Sequence, residues 1–60
     1  MRYERALNYR REFLIERPDL EDQVDDLLQL MFDEIEEGGS VENEIDHFIA
    51  GCDDLLIDEE

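Results

Sequence analysis

The sequence predicts an all-α fold: a helical hairpin with an additional N-terminal helix, assembled as a homo-oligomer. Pro18 and the run Gly38-Gly39-Ser40 divide the 60 residues into three stretches that each read as a helix. The second and third stretches carry apolar residues at the three- and four-residue intervals of a helix face. A chain this short buries only ~60% of its extended surface, so its own core is marginal. Cys52 is the single cysteine, which rules out an intrachain disulfide and leaves self-association as the favoured remedy. The whole of 1–60 reads as one small domain.

The first helix is expected over 3–17, where good helix formers dominate "RYERALNYRREFLIER". Tyr3, Leu7 and Leu14 share a stripe, but Arg10 and Arg17 lie on it too. The second is expected over 20–37, with Asp19 as its N-cap and Asp22 completing an imperfect capping box. Leu20, Val24, Leu27, Leu28, Met31 and Ile35 form its apolar stripe, and Gly38 is placed to end it. The third is expected over 41–57, behind Ser40 as N-cap, with Glu42 and Glu44 at the positive end of its dipole. Val41, Ile45, Phe48, Cys52 and Leu55 repeat at the alternating intervals of a bundle seam, with Ile49 and Leu56 beside them.

A two- or three-residue turn between the second and third helices makes them an antiparallel hairpin. The expected core comprises Leu20, Val24, Leu27, Met31, Ile35, Ile45, Phe48, Cys52 and Leu55. One hairpin leaves half of each stripe wet. A second hairpin, or the first helix from the same or a partner chain, must cover it.

Charge is divided along the chain. Residues 1–17 hold all five arginines against three acids, a balance of +2, whereas 18–60 hold seventeen acids and no base, for a total of −15. Such a field repels nucleic acid and anionic membrane and attracts basic protein surfaces. With 42% of residues hydrophobic and regularly spaced, disorder is rejected for most of the chain. No stretch has the make-up of a secretory signal or approaches the ~20 apolar residues of a membrane span, so a cytoplasmic protein is expected.

Acids also collect where helix electrostatics oppose them. Asp33, Glu34, Glu36 and Glu37 crowd the last turn of the second helix, where each misplaced acid costs about 0.3–1 kcal/mol. Glu34 and Glu44 project at the edges of the apolar stripes, and Arg10 and Arg17 are the expected counter-charges, within the chain or across an oligomer. The plainer reading is ordinary solvated charge, each pair worth under ~1 kcal/mol.

Catalytic machinery is not visible. Glu44-Ile-Asp-His47 has the Glu-x-x-His spacing of di-metal helical bundles, but His47 falls on the polar face of its helix and reads as a solvated histidine. Cys52 lies on the apolar stripe beside Asp53 and Asp54, the opposite of the basic surroundings a reactive thiolate wants, and reads as a small buried hydrophobe. Ser40 is the only serine and serves as a cap, and Gly38-Gly39 lacks the lysine of a phosphate loop. No cofactor, metal or enzyme activity is expected.

Two interaction functions remain. In "LLQLMF", residues 27–32, Leu30 and Phe32 widen the apolar girdle beyond what a hairpin needs. The girdle would form either a dimer core or, with Asp33, Glu34, Glu36 and Glu37, a contact for a partner with a basic rim. The alternative is a DNA mimic that blocks a nucleic-acid-binding protein. Nine acids between Asp19 and Glu37 give one charge per ~3 Å of helix, against ~1.7 Å for duplex DNA.

The arginine-rich opening "RYERALNYRRE" and the hairpin "DEIEEGGSVENEIDHFIAGCDDLL" resemble the small acidic helical early proteins of temperate lambdoid bacteriophages, encoded between the exonuclease and excisionase genes. The resemblance spans most of the chain and carries no diagnostic functional signature. It implies a helical, oligomeric early protein acting in the host cytoplasm. Its function would be to shift the balance between lysogeny and lytic growth, or to disturb host processes.

Overall fold

A computed structural model describes residues 3–57. Within them lie three α-helices, α1 (Glu4–Glu16), α2 (Glu21–Glu36) and α3 (Val41–Leu56), with one 3-10 turn at Pro18–Leu20. The described residues are helical apart from their short connections. α2 and α3 form the expected antiparallel hairpin. α1 lies along one side of it, running in the same general direction as α3: Arg5 meets Asp46 and Tyr9 meets Asp53.

The hairpin turn is built from backbone hydrogen bonds. Gly38 N–H donates to the Ile35 carbonyl at 3.0 Å and Gly39 N–H to the Glu34 carbonyl at 2.9 Å, the paired bonds of a Schellman cap. Gly38 has φ +107°, where a side chain is strained. Gly39 is required for a different reason: a Cβ there would stand 2.8 Å from the Glu34 carbonyl oxygen. Ser40 then caps α3, its hydroxyl accepting from Asn43 N–H at 3.5 Å.

The link between α1 and α2 differs from expectation. Asp19 does not cap α2. Pro18 instead opens a 3-10 turn, closed by Leu20 N–H donating to the Arg17 carbonyl at 3.1 Å, and α2 starts at Glu21 with no side-chain cap. Proline's fixed φ suits the first position of such a turn, and Asp19 is drawn aside to the Arg17 guanidinium, both bonds 3.3 Å.

The buried core is Ala6, Phe13, Val24, Met31, Ile45, Phe48 and Cys52. The hairpin members were expected; Leu20, Leu27, Ile35 and Leu55 pack against this core half-buried. α1 corrects the expected stripe. It buries Ala6 and Phe13, with Tyr9 beside them; of the expected stripe Tyr3 and Leu14 do pack half-buried against the core, while Leu7 is at the surface. The small side chain of Ala6 is fully buried in the same core, where the aromatic rings of Tyr9, Phe13 and Phe48 meet, Tyr9 to Phe48 edge-on at 6.4 Å. The wet half of the hairpin is therefore covered on one side by the chain's own first helix.

Candidate functional site

At 100° per residue, Leu30 and Phe32 lie on opposite flanks of the line through Val24 and Met31, and α1 separates their fates. Phe32 turns towards α1 and packs edge-on against Tyr3, ring centroids 5.1 Å apart. It belongs to the fold. Leu30 turns the other way and is 54% exposed.

On Leu30's side the hairpin has an open groove of about 320 Å³, lined by Leu27, Leu30, Met31 and Glu34 of α2 and by Glu44, His47 and Phe48 of α3. No residue of α1 lines it. The floor is apolar, and each lip carries one carboxylate. Glu34 is exposed, whereas the Glu44 side chain is only 15% exposed. Glu44 Oε1 lies 3.8 Å from His47 Nδ1, an ion pair when the imidazole is protonated; His47 itself points largely into solvent. Next to the groove, Gly51 lets the Leu27 side chain close on α3: a Cβ at that position would be 3.2 Å from both Leu27 methyl carbons.

The arginines do not go to these carboxylates. Arg10 pairs with Asp25 at 2.9 Å and with Glu21 at 3.8 Å, both near the start of α2. Arg17 holds Asp19, and Arg5 holds Asp46 of α3 at 2.8 Å. Among the described residues, then, Arg10 pairs with Asp25 and Glu21 and Arg17 with Asp19, not in the expected meeting with Glu34 and Glu44. α1 runs away from the hairpin turn, which puts Arg10 and Arg17 at the far end of α2. Among the described residues no arginine reaches Glu34 or Glu44. Asp33 accepts a bond from Gln29 of its own helix at 3.3 Å, and Glu36 and Glu37 are exposed at the turn.

The chain matches no family model, no curated protein and no solved structure. What the site can do must be read from its own chemistry. Among the described residues no three His, Cys, Asp or Glu side chains come together as a metal site would need. Cys52 is fully buried, and burial with Asp53 nearby pushes its thiol up to about 11, which keeps it protonated at neutral pH. Tyr9 donates its hydroxyl to Asp53 Oδ1 at 2.6 Å; burial and that bond push it up to about 12. Both groups serve the packing of α1 on α3. Among the described residues no helix is long and apolar enough to cross a membrane.

A second depression, of about 330 Å³, lies between α1 and the end of α3 and is lined by Tyr9, Glu12, Phe13, Glu16, Arg17 and Leu56. It carries both signs of charge, and its aromatic walls already belong to the core.

Proposed function

We propose that this chain is a non-catalytic regulatory protein that binds a host or phage protein with a basic surface, through the open groove of its hairpin. The observation that carries the reading is Leu30, a half-exposed leucine in a groove edged by the carboxylates of Glu34 and Glu44, while Arg5 and Arg10 are paired elsewhere, with Asp46 and Asp25. An apolar anchor with a charged rim is the common anatomy of a protein-binding patch, and the net charge of −15 selects a basic partner. The resemblance to the lambdoid early proteins supports action in the cytoplasm of an infected bacterium, on the lysis–lysogeny balance or on host processes. The homo-oligomer belongs to the same proposal, since a 60-residue chain has little core of its own.

The test is a pull-down from bacterial lysate with the tagged chain and its Leu30→Asp variant, eluted through a salt gradient. A specific partner held by the wild type at high salt and lost by the variant supports the reading. A partner indifferent to Leu30→Asp removes it. The DNA-mimic alternative has support of its own in the outer face of α2, where Asp22, Asp26, Asp33 and Glu37 are exposed along one stripe. Binding through that stripe would fail as screening shortens from ~10 Å at 0.1 M to ~3 Å at 1 M salt, and added DNA would displace the protein.

A further inference from the structure

α1 is a template, within the chain itself, for how a helix sits on this hairpin. It lays Tyr3, Ala6, Tyr9 and Phe13 against the apolar faces of α2 and α3. On one edge Arg5 meets Asp46 of α3 at 2.8 Å, and on the other Arg10 meets Asp25 of α2 at 2.9 Å. The open groove on the opposite side follows the same plan: an apolar floor, Glu34 on the α2 lip and Glu44 on the α3 lip. Among the described residues neither a helix nor an arginine fills it. From Leu27 to Glu34 the groove extends ~10 Å along α2, close to two helical turns. A cleft between two antiparallel helices accepts another helix by ridges-into-grooves packing, and filling this one would complete a four-helix bundle.

We propose that the groove receives an amphipathic helix of another protein, one whose apolar stripe is edged by arginine on both sides. This rests on the reading of the chain as a binding protein and specifies the element it binds. Arginine fits the lips better than lysine: its stem can lie along Leu30 while its planar fork donates to a carboxylate. A second copy of this chain is a poor occupant. Whatever surface joins an oligomer, residues 18–60 hold no arginine or lysine to meet the two lips, and the outer face of α1 offers one arginine, Arg11, between Leu7 and Ile15, with Glu4 and Glu12 alongside. For a basic helix the net charge of −15 steers the encounter and favours the bound state.

The test is fluorescence anisotropy at 0.15 M NaCl, with the full chain titrated into a labelled synthetic 18-residue helical peptide. The peptide has a leucine stripe with arginines on both edges; a control peptide has glutamine in place of arginine. The arginine peptide is expected to bind at least tenfold tighter than the glutamine peptide. The double variant Glu34→Gln/Glu44→Gln and the single variant Leu30→Asp are each expected to lose at least tenfold. Asp22→Asn/Asp26→Asn removes the same charge from the outer face of α2 and should change binding less than threefold, all variants being checked for helicity and melting temperature.

The proposal is overturned if the arginine peptide does not bind or binds no tighter than the glutamine peptide. It is equally overturned if the Asp22/Asp26 variant loses as much as the Glu34/Glu44 variant, because the attraction is then diffuse. A chain that sediments as a dimer without peptide, and as a monomer after Leu30→Asp, would mean that a second copy fills the groove. A lysate partner lost by Leu30→Asp but indifferent to Glu34→Gln/Glu44→Gln would leave the binding function standing and refute only the arginine-edged helix.

Discussion

Removing the Tyr9 hydroxyl tests how α1 is held. Tyr9→Phe keeps the ring against Phe48 and deletes one contact, the 2.6 Å bond to Asp53. Hydrogen bonds to charged groups contribute about 1.5–3 kcal/mol, but both partners here regain water when the bond is lost, so about 1 kcal/mol is expected. For a chain of this size that lowers the melting temperature by about 4–8 °C. A double-mutant cycle with Asp53→Asn, read by urea unfolding followed through helix circular dichroism, isolates the pair. Burial of Tyr9 and, after it, the same bond also give a pH signature. Tyr9 ordinarily ionises near 10 and here near 12, and Cys52 shifts from 9 to about 11. A group whose folded value is raised contributes its stability in full below the unfolded value and loses it as pH rises through the folded one. Stability is therefore expected to fall between pH 9 and 12, and Tyr9→Phe should keep the Cys52 limb while losing the part between 10 and 12. A coupling below about 0.3 kcal/mol, which is within ordinary additivity error, or an alkaline limb unchanged in Tyr9→Phe, would refute the account.

Other perturbations separate the remaining parts of the fold. Gly39→Ala drives a methyl into the Glu34 carbonyl and should cost about 1–3 kcal/mol, the two Schellman bonds it opens, seen as a lower urea midpoint. Phe48→Ala empties the centre of the core, where Phe48 is 2% exposed; at about 3–5 kcal/mol it should abolish the cooperative melt. Ile15→Glu, at a position 71% exposed, should stay within about 0.5 kcal/mol; a large loss would place that residue in an interface. Raising NaCl from 0.05 to 0.5 M should raise the melting temperature, because screening relieves the self-repulsion of a chain at −15.

The hairpin was legible because its signal is periodic and redundant. Ile45, Phe48 and Cys52 recur at three- and four-residue intervals, Gly38-Gly39 marks the turn, and Ser40 can only be a cap there. α1 was read only in part: Tyr3 and Leu14 of its expected stripe pack on the core, but the stripe missed the buried Ala6 and Phe13. Ala6 adds almost nothing to a hydrophobic pattern yet is fully buried, while the larger Leu7 is exposed. Asp19 looked like a cap by residue type, but Pro18 fixes a 3-10 turn first and Arg17 takes its carboxylate. The groove could not be read locally. Leu30 and Phe32 are equivalent flanks of one stripe until α1 chooses a side, and that choice depends on where Tyr3, Arg5 and Arg10 find partners.

The acids at the end of α2 remain to be explained. Two features of the turn reduce what they cost. Gly38 and Gly39 donate to the Ile35 and Glu34 carbonyls, which occupies part of the negative end of α2. The chain then reverses at once into α3, so the positive end of one dipole stands beside the negative end of the other, and Glu34 and Glu44 line the groove next to that junction. The arrangement makes the cluster tolerable without neutralising it. Arg5, Arg10 and Arg17 spend their charge on Asp46, Asp25 and Asp19, and the last turn of α2 has no basic residue of its own. Stability alone would favour a lysine at 34, which would complement the helix end by about 0.3–1 kcal/mol. A glutamate at that position, beside an exposed leucine and opposite Glu44, fits a surface kept ready for an incoming cation. Glu34→Lys should therefore raise the melting temperature and abolish partner binding. A variant that gained stability and still bound its partner would show the acid to be mere surface.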